Sequence, residues 1–382
     1  MKRLARLPRL RNAYLRRGIG VWLLCRFVLA AQPGGGLALD LRTTVALLAV
    51  VVVVVLMYAR RRWENVLLGN LGIPMAQAAA WAAAVPAVAE LLMPGPSPEQ
   101  GTPGNPGSVP PHDPARRAAA SSRKIIPLLA VGAAGTSPLA PGRPDAGAFV
   151  LHADGLGKSF GRKSVLKSAS FRAVSGQVTA LMGRNGSGKT TMLRISAGAL
   201  GAGWGSVFWR GEYRERPRLH RLAREGLFFS AQESALTSHF TVREHLEMVV
   251  RTFGGRERMD DVVHRMRLEA FLDRRPHRIS GGERQRASLA MALLRDPVCL
   301  LMDEPFAGIA PADRPLIAAG LGVLRDGGCA IVVSGHDVED LFQVSDQVIW
   351  VVAGTTHWLG GPSEAALHPQ FRREYLGPRG QI

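Results

Sequence analysis

The sequence predicts an α/β domain built on a largely parallel sheet, and three observations carry that prediction. Short uncharged apolar runs (178–182, 227–229, 298–302 and 329–333) recur between stretches with helical periodicity. The first run leads straight into a glycine-rich loop, GRNGSGKTT at 183–191, and then into a helical pattern carried by Met192, Leu193, Ile195 and Ala199. The third run ends in two adjacent carboxylates, Asp303 and Glu304. A buried strand that ends in polar residues is typical of parallel sheets, which bind ligands beyond the carboxyl ends of their strands.

Strand, glycine loop and helix in that order suit a phosphate-binding loop. Gly183, Gly186 and Gly188 let the backbone turn sharply, so that the N–H groups of the loop, including those at Asn185 and Ser187, aim inward. The positive end of the following helix adds to them. Lys189 then reaches the β- and γ-phosphates of a nucleotide, and the Thr190 hydroxyl, followed by Thr191, sits where Mg²⁺ would be held. ATP and Mg²⁺ are therefore the expected cofactors.

The chain has 382 residues and a formal net charge of +18, room for two or three domains and a bias toward an anionic partner. Much of the charge lies in Lys2, Arg3, Arg6, Arg9, Arg11, Arg16, Arg17 and Arg60 to Arg62. Between these clusters, residues 43–59 are uncharged, and their strongly apolar side chains favour membrane insertion by about 3–6 kcal/mol. The earlier run from Ile19 is shorter and interrupted by Arg26, which costs about 3 kcal/mol. Basic flanks on both sides prefer the cytoplasm, and so does an ATP site. Both ends inside require an even number of crossings, so the expectation is a transmembrane hairpin with spans near 19–39 and 43–59. The alanine-rich stretch at 73–93 contains Gln77, Pro86 and Glu90 and suits a surface or membrane-lying helix. The three cysteines, Cys25, Cys299 and Cys329, are far apart in apolar runs and imply neither a disulfide nor a metal framework.

The expected organisation is a basic membrane segment at 1–93, a Pro/Gly-rich linker at 94–148 and a nucleotide-binding domain at 149–382. The linker is too poor in large apolar residues to fold alone. Within the third segment, Phe160 lies 29 positions before Lys189 and is a candidate for stacking on adenine. Gln232 follows the second apolar run and is a candidate for a contact with Mg²⁺ or water. Thr241 and Glu244 form a capping-box pattern ahead of a helical block. ISGGERQR then places Ser280, Gly281 and Gly282 at another helix start, a second phosphate-binding end. Asp303 at its strand tip is a metal candidate, and Glu304 is placed to polarise an attacking water. His336 follows the fourth run and is a candidate for bonding the γ-phosphate and that water.

GRNGSGKTT, Gln232, ISGGERQR, LLMDEP and SGHD, in this order and spacing, resemble the ATP-binding subunits of ABC transporters over about 151–376. The resemblance implies a P-loop ATPase with a helical subdomain. Phe160 then matches the adenine-stacking aromatic, 183–190 the Walker A loop, Gln232 the permease-sensing glutamine and Ser280 to Glu283 the signature. Asp303 matches the Walker B acid, Glu304 the catalytic base and His336 the switch histidine. The resemblance also implies a head-to-tail dimer, homomeric or heteromeric, a separate permease and a place at the inner (plasma) membrane with the ATPase domain cytoplasmic. DEPFAGI and the tail HPQFRREYLG are similar to lipopolysaccharide-export ATPases and, less closely, to branched-chain amino-acid importers. One position departs: the family's D-loop aspartate is Ala310 here, with Asp313 as the nearest substitute.

Nucleic acid is not an expected partner. Ribosome-acting relatives carry two cassettes, and repair types insert a long coiled coil between the two glycine motifs, whereas about ninety residues separate them here. A cytosolic assembly scaffold sits poorly with the 43–59 run. The remaining alternative is a small membrane protein fused to the ATPase.

Overall fold

The computed structural model describes residues 8–30, 46–55, 64–92, 147–232 and 235–376. Its centre is the alternation of buried strands and helices anticipated above. A long hairpin, β1 (Phe149–Phe160) and β2 (Lys163–Val174), precedes β3 (Val178–Met182), followed by β4 (Trp204–Trp209) and β5 (Glu212–Tyr213). Then come β6 (Leu227–Ser230), β7 (Cys299–Asp303), β8 (Ala330–Gly335), β9 (Gln347–Val352) and β10 (Thr355–Gly360). The strand order is β5-β4-β1-β2-β10-β9-β3-β8-β7-β6. The five strands from β9 to β6 are mutually parallel, and β1, β2, β4 and β5 form an antiparallel wing.

Every residue of β3, β7 and β8 is buried, which is why these strands read as continuous apolar runs rather than alternating ones. Their side chains divide between two cores. Ile331 and Val333 point to one face with Leu300 and Met302, and Ala330 and Val332 to the other with Leu301. Among the described residues four helices precede the hairpin: α1 (Pro8–Ala30), α2 (46–55), α3 (Glu64–Asn70) and α4 (Met75–Leu92). α5 (Lys189–Ser196) follows β3, and α6 (Leu219–Arg224) leads into β6. Between β6 and β7 lies the helical subdomain of α7 (Val242–Phe253), α8 (Met259–Arg265) and α9 (Gly281–Arg295). α10 (Arg314–Asp326) joins β7 to β8, and α11 (Val338–Val344) joins β8 to β9.

Register brings the strand tips together. Met182 lies beside Gly335, Asp303 beside Ser334, and Ser230 beside Met302. The glycine loop, the two carboxylates, His336 and Gln232 therefore all emerge at one edge of the parallel sheet.

The amino-terminal region departs from the expected hairpin. Among the described residues no helix is long and apolar enough to cross a membrane. α1 begins at Pro8, and its 23 residues include Arg9, Arg11, Arg16, Arg17 and Arg26, too much charge for a spanning helix. Gly18 marks a close crossing with α4: a methyl there would overlap the Ala82 carbonyl. Of the 43–59 run, 46–55 are described, and Val55 joins Tyr14, Leu67 and Leu68 in one buried cluster. The rest of that run, the turn expected at 32–36 and residues 94–146 lie outside the described residues. The stretch at 73–93 is largely helix α4, with Ile73, Ala78 and Ala82 buried.

Candidate active site

The glycine loop has the geometry its sequence implies. Gly186 (φ 84°) and Gly188 (φ 108°) occupy the left-handed region that side chains disfavour. A methyl on Gly188 would lie 2.5 Å from Leu166 Cδ2, and one on Gly183 would lie 2.4 Å from the Val351 carbonyl oxygen. Gly188 caps α5 without a side-chain cap hydrogen bond among the described residues. The loop curls around Lys189, whose Nζ donates to the carbonyls of Gly183 (2.6 Å) and Arg184 (3.3 Å). Burial lowers the Lys189 pKa, opposed by the nearby carboxylates of Glu304 and Asp303.

Asp303 sits under the loop at the tip of β7. Its Oδ1 accepts hydrogen bonds from Thr190 Oγ1 (3.1 Å) and from Ser334 Oγ. Its Oδ2 is buried without a hydrogen-bond partner among the described residues, and burial raises the pKa of the carboxyl. A hydroxyl and an unsatisfied buried carboxylate oxygen side by side are hard oxygen donors that fit Mg²⁺. Thr190 and Asp303 are thus brought together as expected. Gln232 is nearby through Glu304.

Glu304 follows with φ 51°, an uncommon conformation for a residue with a Cβ. Its N–H donates to the carbonyl and hydroxyl of Ser334, each at 3.1 Å, which holds the strained turn. The residue is 8% exposed. Its Oε2 accepts from Gln232 Nε2 at 2.8 Å, and its Oε1 lies 4.0 Å from His336 Nδ1. A cavity of about 160 Å³ opens beside Glu304, Ser334 and His336. Carboxylate, amide and imidazole thus converge next to the phosphate loop, which suits orientation of a water molecule for attack on phosphorus.

Ser334, the first residue of SGHD, is given no role by motif reading. One hydroxyl serves both acids, donating to Asp303 and accepting from Glu304 N–H. The available signal was its place at a buried strand tip, two residues before His336.

Ser280, Gly281 and Gly282 are placed differently. Ser280 Oγ accepts from Glu283 N (3.2 Å), and Glu283 Oε2 accepts from Ser280 N (2.7 Å), a complete capping box for α9. Among the described residues, no hydrogen bond joins this helix start to the 183–191 loop. Asp313 packs against it: a methyl on Gly282 would lie 2.7 Å from Asp313 Oδ2, and Asp313 Oδ1 lies 3.4 Å from Arg286 Nε. Ala310 is exposed. Phe160 stands at the tip of the β1–β2 hairpin, 49% exposed, with Lys158 Nζ 5.6 Å from its ring centre.

Comparison with known proteins identifies the family. Residues 166–307 match the family model described as ABC transporter. The chain is 30% identical over 238 residues to the lipopolysaccharide export system ATP-binding protein LptB of Acidithiobacillus ferridurans, covering 61% of this chain and 99% of the relative. It is 31% identical to the zinc import ATP-binding protein ZnuC of Halorhodospira halophila, over 63% of this chain and 91% of the relative. It is 36% identical to the sulfate/thiosulfate import ATP-binding protein CysA of Methylococcus capsulatus, over 58% and 66%. An ADP-bound ATP-binding cassette superposes with a TM-score of 0.51 at 22% identity, covering 61% of this chain and 96% of that one. The chain belongs to the ATP-binding, ATP-hydrolysing subunits of ABC transporters.

Proposed function

We propose that this subunit hydrolyses ATP with Glu304 as the base that orients and deprotonates the attacking water. The observation that carries the proposal is the convergence of Gln232, Glu304 and His336 beside the phosphate loop. The loop N–H groups and Lys189 hold the phosphates, with Asn185, Ser187 and Thr191 completing the cradle, and Phe160 stacks on the adenine. Thr190 and Asp303, with Gln232 as a further contact, would hold Mg²⁺, which when bound would supply positive charge to offset that of the phosphates. Water oxygen bonds to the γ-phosphorus as the bond to the ADP oxygen breaks, and the water proton passes toward Glu304. His336 bonds the γ-phosphate.

Two cassettes pair head to tail, so that Ser280, Gly281 and Gly282 of one close over the nucleotide of the other. Three features support the pairing: the signature start lies apart from its own loop, it is capped, and one solved relative in this fold is described as a dimeric cassette. The dimer drives a separate permease from the cytoplasmic face of the inner membrane. The basic flanks and the uncharged 43–59 run support a membrane-attached amino-terminal segment; high-salt washing should then leave the full chain on membranes, and its release would remove the attachment.

Glu304→Gln tests the chemistry. Hydrolysis should fall by roughly 10²-fold or more, about 3 kcal/mol of transition-state stabilisation, while ATP affinity stays near wild type. Equal turnover in variant and wild type would refute the assignment.

A further inference from the structure

The strand that leads to Gln232 has an attachment outside the cassette. Among the described residues β6 is the last strand of the sheet and pairs only with β7. On its open side stands Asn70, the last residue of α3, 1% exposed. Asn70 Nδ2 donates to the Phe229 carbonyl at 2.7 Å, and Asn70 Oδ1 accepts from the Phe229 N–H at 3.0 Å. One side chain thus supplies both hydrogen bonds of a missing neighbour strand.

The helix carrying Asn70 is firmly seated. Val66, Leu67 and Leu68 are buried, and Arg224 Nε donates to the Gly72 carbonyl at 2.9 Å. A methyl on Gly69 would lie 2.5 Å from Leu219 Cδ2, so α3 lies close against α6.

From Phe229 the contacts diverge toward both functional motifs. The next residue, Ser230, shares a buried 2.7 Å hydrogen bond with Ser288 of α9, the helix whose start is the signature. Three positions beyond Phe229, Gln232 bonds Glu304. On its other side α3 runs into α4, which crosses α1 at Gly18, and Leu67 shares a cluster with Val55 of α2. The segment matched by the family model begins only at residue 166.

We infer that α3 is a coupling element carried in the same chain, and that Asn70 is a positioning residue acting through β6 on Gln232 and α9. Displacement of the amino-terminal helices then shifts the end of β6, and the state of the ATP site is passed back along the same contacts. The inference rests on the proposed placing of Gln232 and Glu304 in the hydrolytic site.

The test uses the full chain in mild detergent, comparing Asn70→Asp, Gln232→Ala and the double variant. Asp has the size of Asn and keeps the acceptor for Phe229 N–H, but sets a carboxylate oxygen against the Phe229 carbonyl. Asn70→Asp should lower kcat for ATP hydrolysis about tenfold with KM within about twofold, and the double variant should be no slower than Gln232→Ala. A second arm measures hydrogen exchange in Glu304→Gln with and without ATP, where residues 64–73 should change protection on ATP binding. That arm needs no Asn70 variant and stands even if those variants fail to fold. Multiplicative losses in the double variant, or 64–73 indifferent to ATP, would overturn the inference. If Gln232→Ala alone hydrolyses ATP at the wild-type rate, the placing of Gln232 fails, and the exchange arm still decides whether α3 senses nucleotide.

Discussion

Two glycine-rich helix starts in this chain look alike in sequence and differ in construction. The α5 start is uncapped, with Gly188 in the left-handed region and Lys189 drawn into its own loop. The α9 start is closed by the reciprocal bonds of Ser280 and Glu283, leaving chiefly the N–H groups of Gly281 and Gly282 to offer a ligand. The first is a cradle of backbone groups around Lys189. The second is a helix end closed by its own side chains. The contrast teaches that two glycine-rich helix starts can leave different N–H groups free: the α5 start has no side-chain cap, whereas the cap of α9 already uses the Glu283 N–H.

The largest expected effect falls on the cradle. Lys189→Ala should weaken ATP binding about 100-fold or more, measured by equilibrium binding, because a charge-assisted phosphate contact is lost. Ser280→Ala should leave ATP binding to the separated chain near wild type. Equal losses at both positions would erase the distinction.

Stability should separate the two starts as well. Gly188→Ala places a methyl 2.5 Å from Leu166 Cδ2 at φ 108° and should cost about 2 kcal/mol or more in denaturant unfolding. Gly281→Ala meets the Gly308 carbonyl oxygen at 3.3 Å without a positive φ, and should change stability by less than about 1 kcal/mol.

A third helix start gives a pH test. Thr241 and Glu244 cap α7 as Ser280 and Glu283 cap α9, and His245 secures the turn. Its Nε2 accepts from Thr237 N–H at 2.9 Å, and its Nδ1 meets the Thr241 carbonyl at 2.7 Å, so the neutral ring carries its proton on Nδ1. Burial lowers its pKa from 6.5 to about 4. Below pH 6.5 the unfolded chain therefore takes up the proton first. The stabilisation is whole above that pH and is lost as pH falls toward 4, on the order of 3 kcal/mol at most. His245→Gln should flatten this slope in unfolding measured against pH. The smallest effect is expected at Ala310. Ala310→Asp should raise the cooperativity of hydrolysis in ATP concentration, unless Asp313, tied to Arg286 in its own chain, already serves that role.

The legible parts of this molecule are those whose meaning is local. Gly183 to Thr191, the Thr241 cap and the acids at the end of β7 each declare themselves within a few residues. Ser334 was hidden because its importance lies in two bonds to residues about thirty positions away. Asn70 was less visible still, since an asparagine after Leu67 and Leu68 reads as a helix end, and its partner is 159 residues distant. The amino-terminal hairpin finds no support among the described residues, for a related reason. Apolar runs at 19–31 and 43–59 have the composition of spans, but Ile19 to Ala30 continue a helix already begun at Pro8, and Val55 packs into the same core as Leu67.

The central claim is that the uncapped start of one subunit is completed by the capped start of another. Mixing two inactive full-length variants tests it: one with Lys189→Ala, the other with Ser280→Arg. In a mixed dimer one site combines both lesions, and the other joins an intact loop to an intact signature. The account predicts that mixing restores ATP hydrolysis well above either variant alone. Hydrolysis that stays at the level of the separate variants, with mixed dimers shown to form, would contradict it.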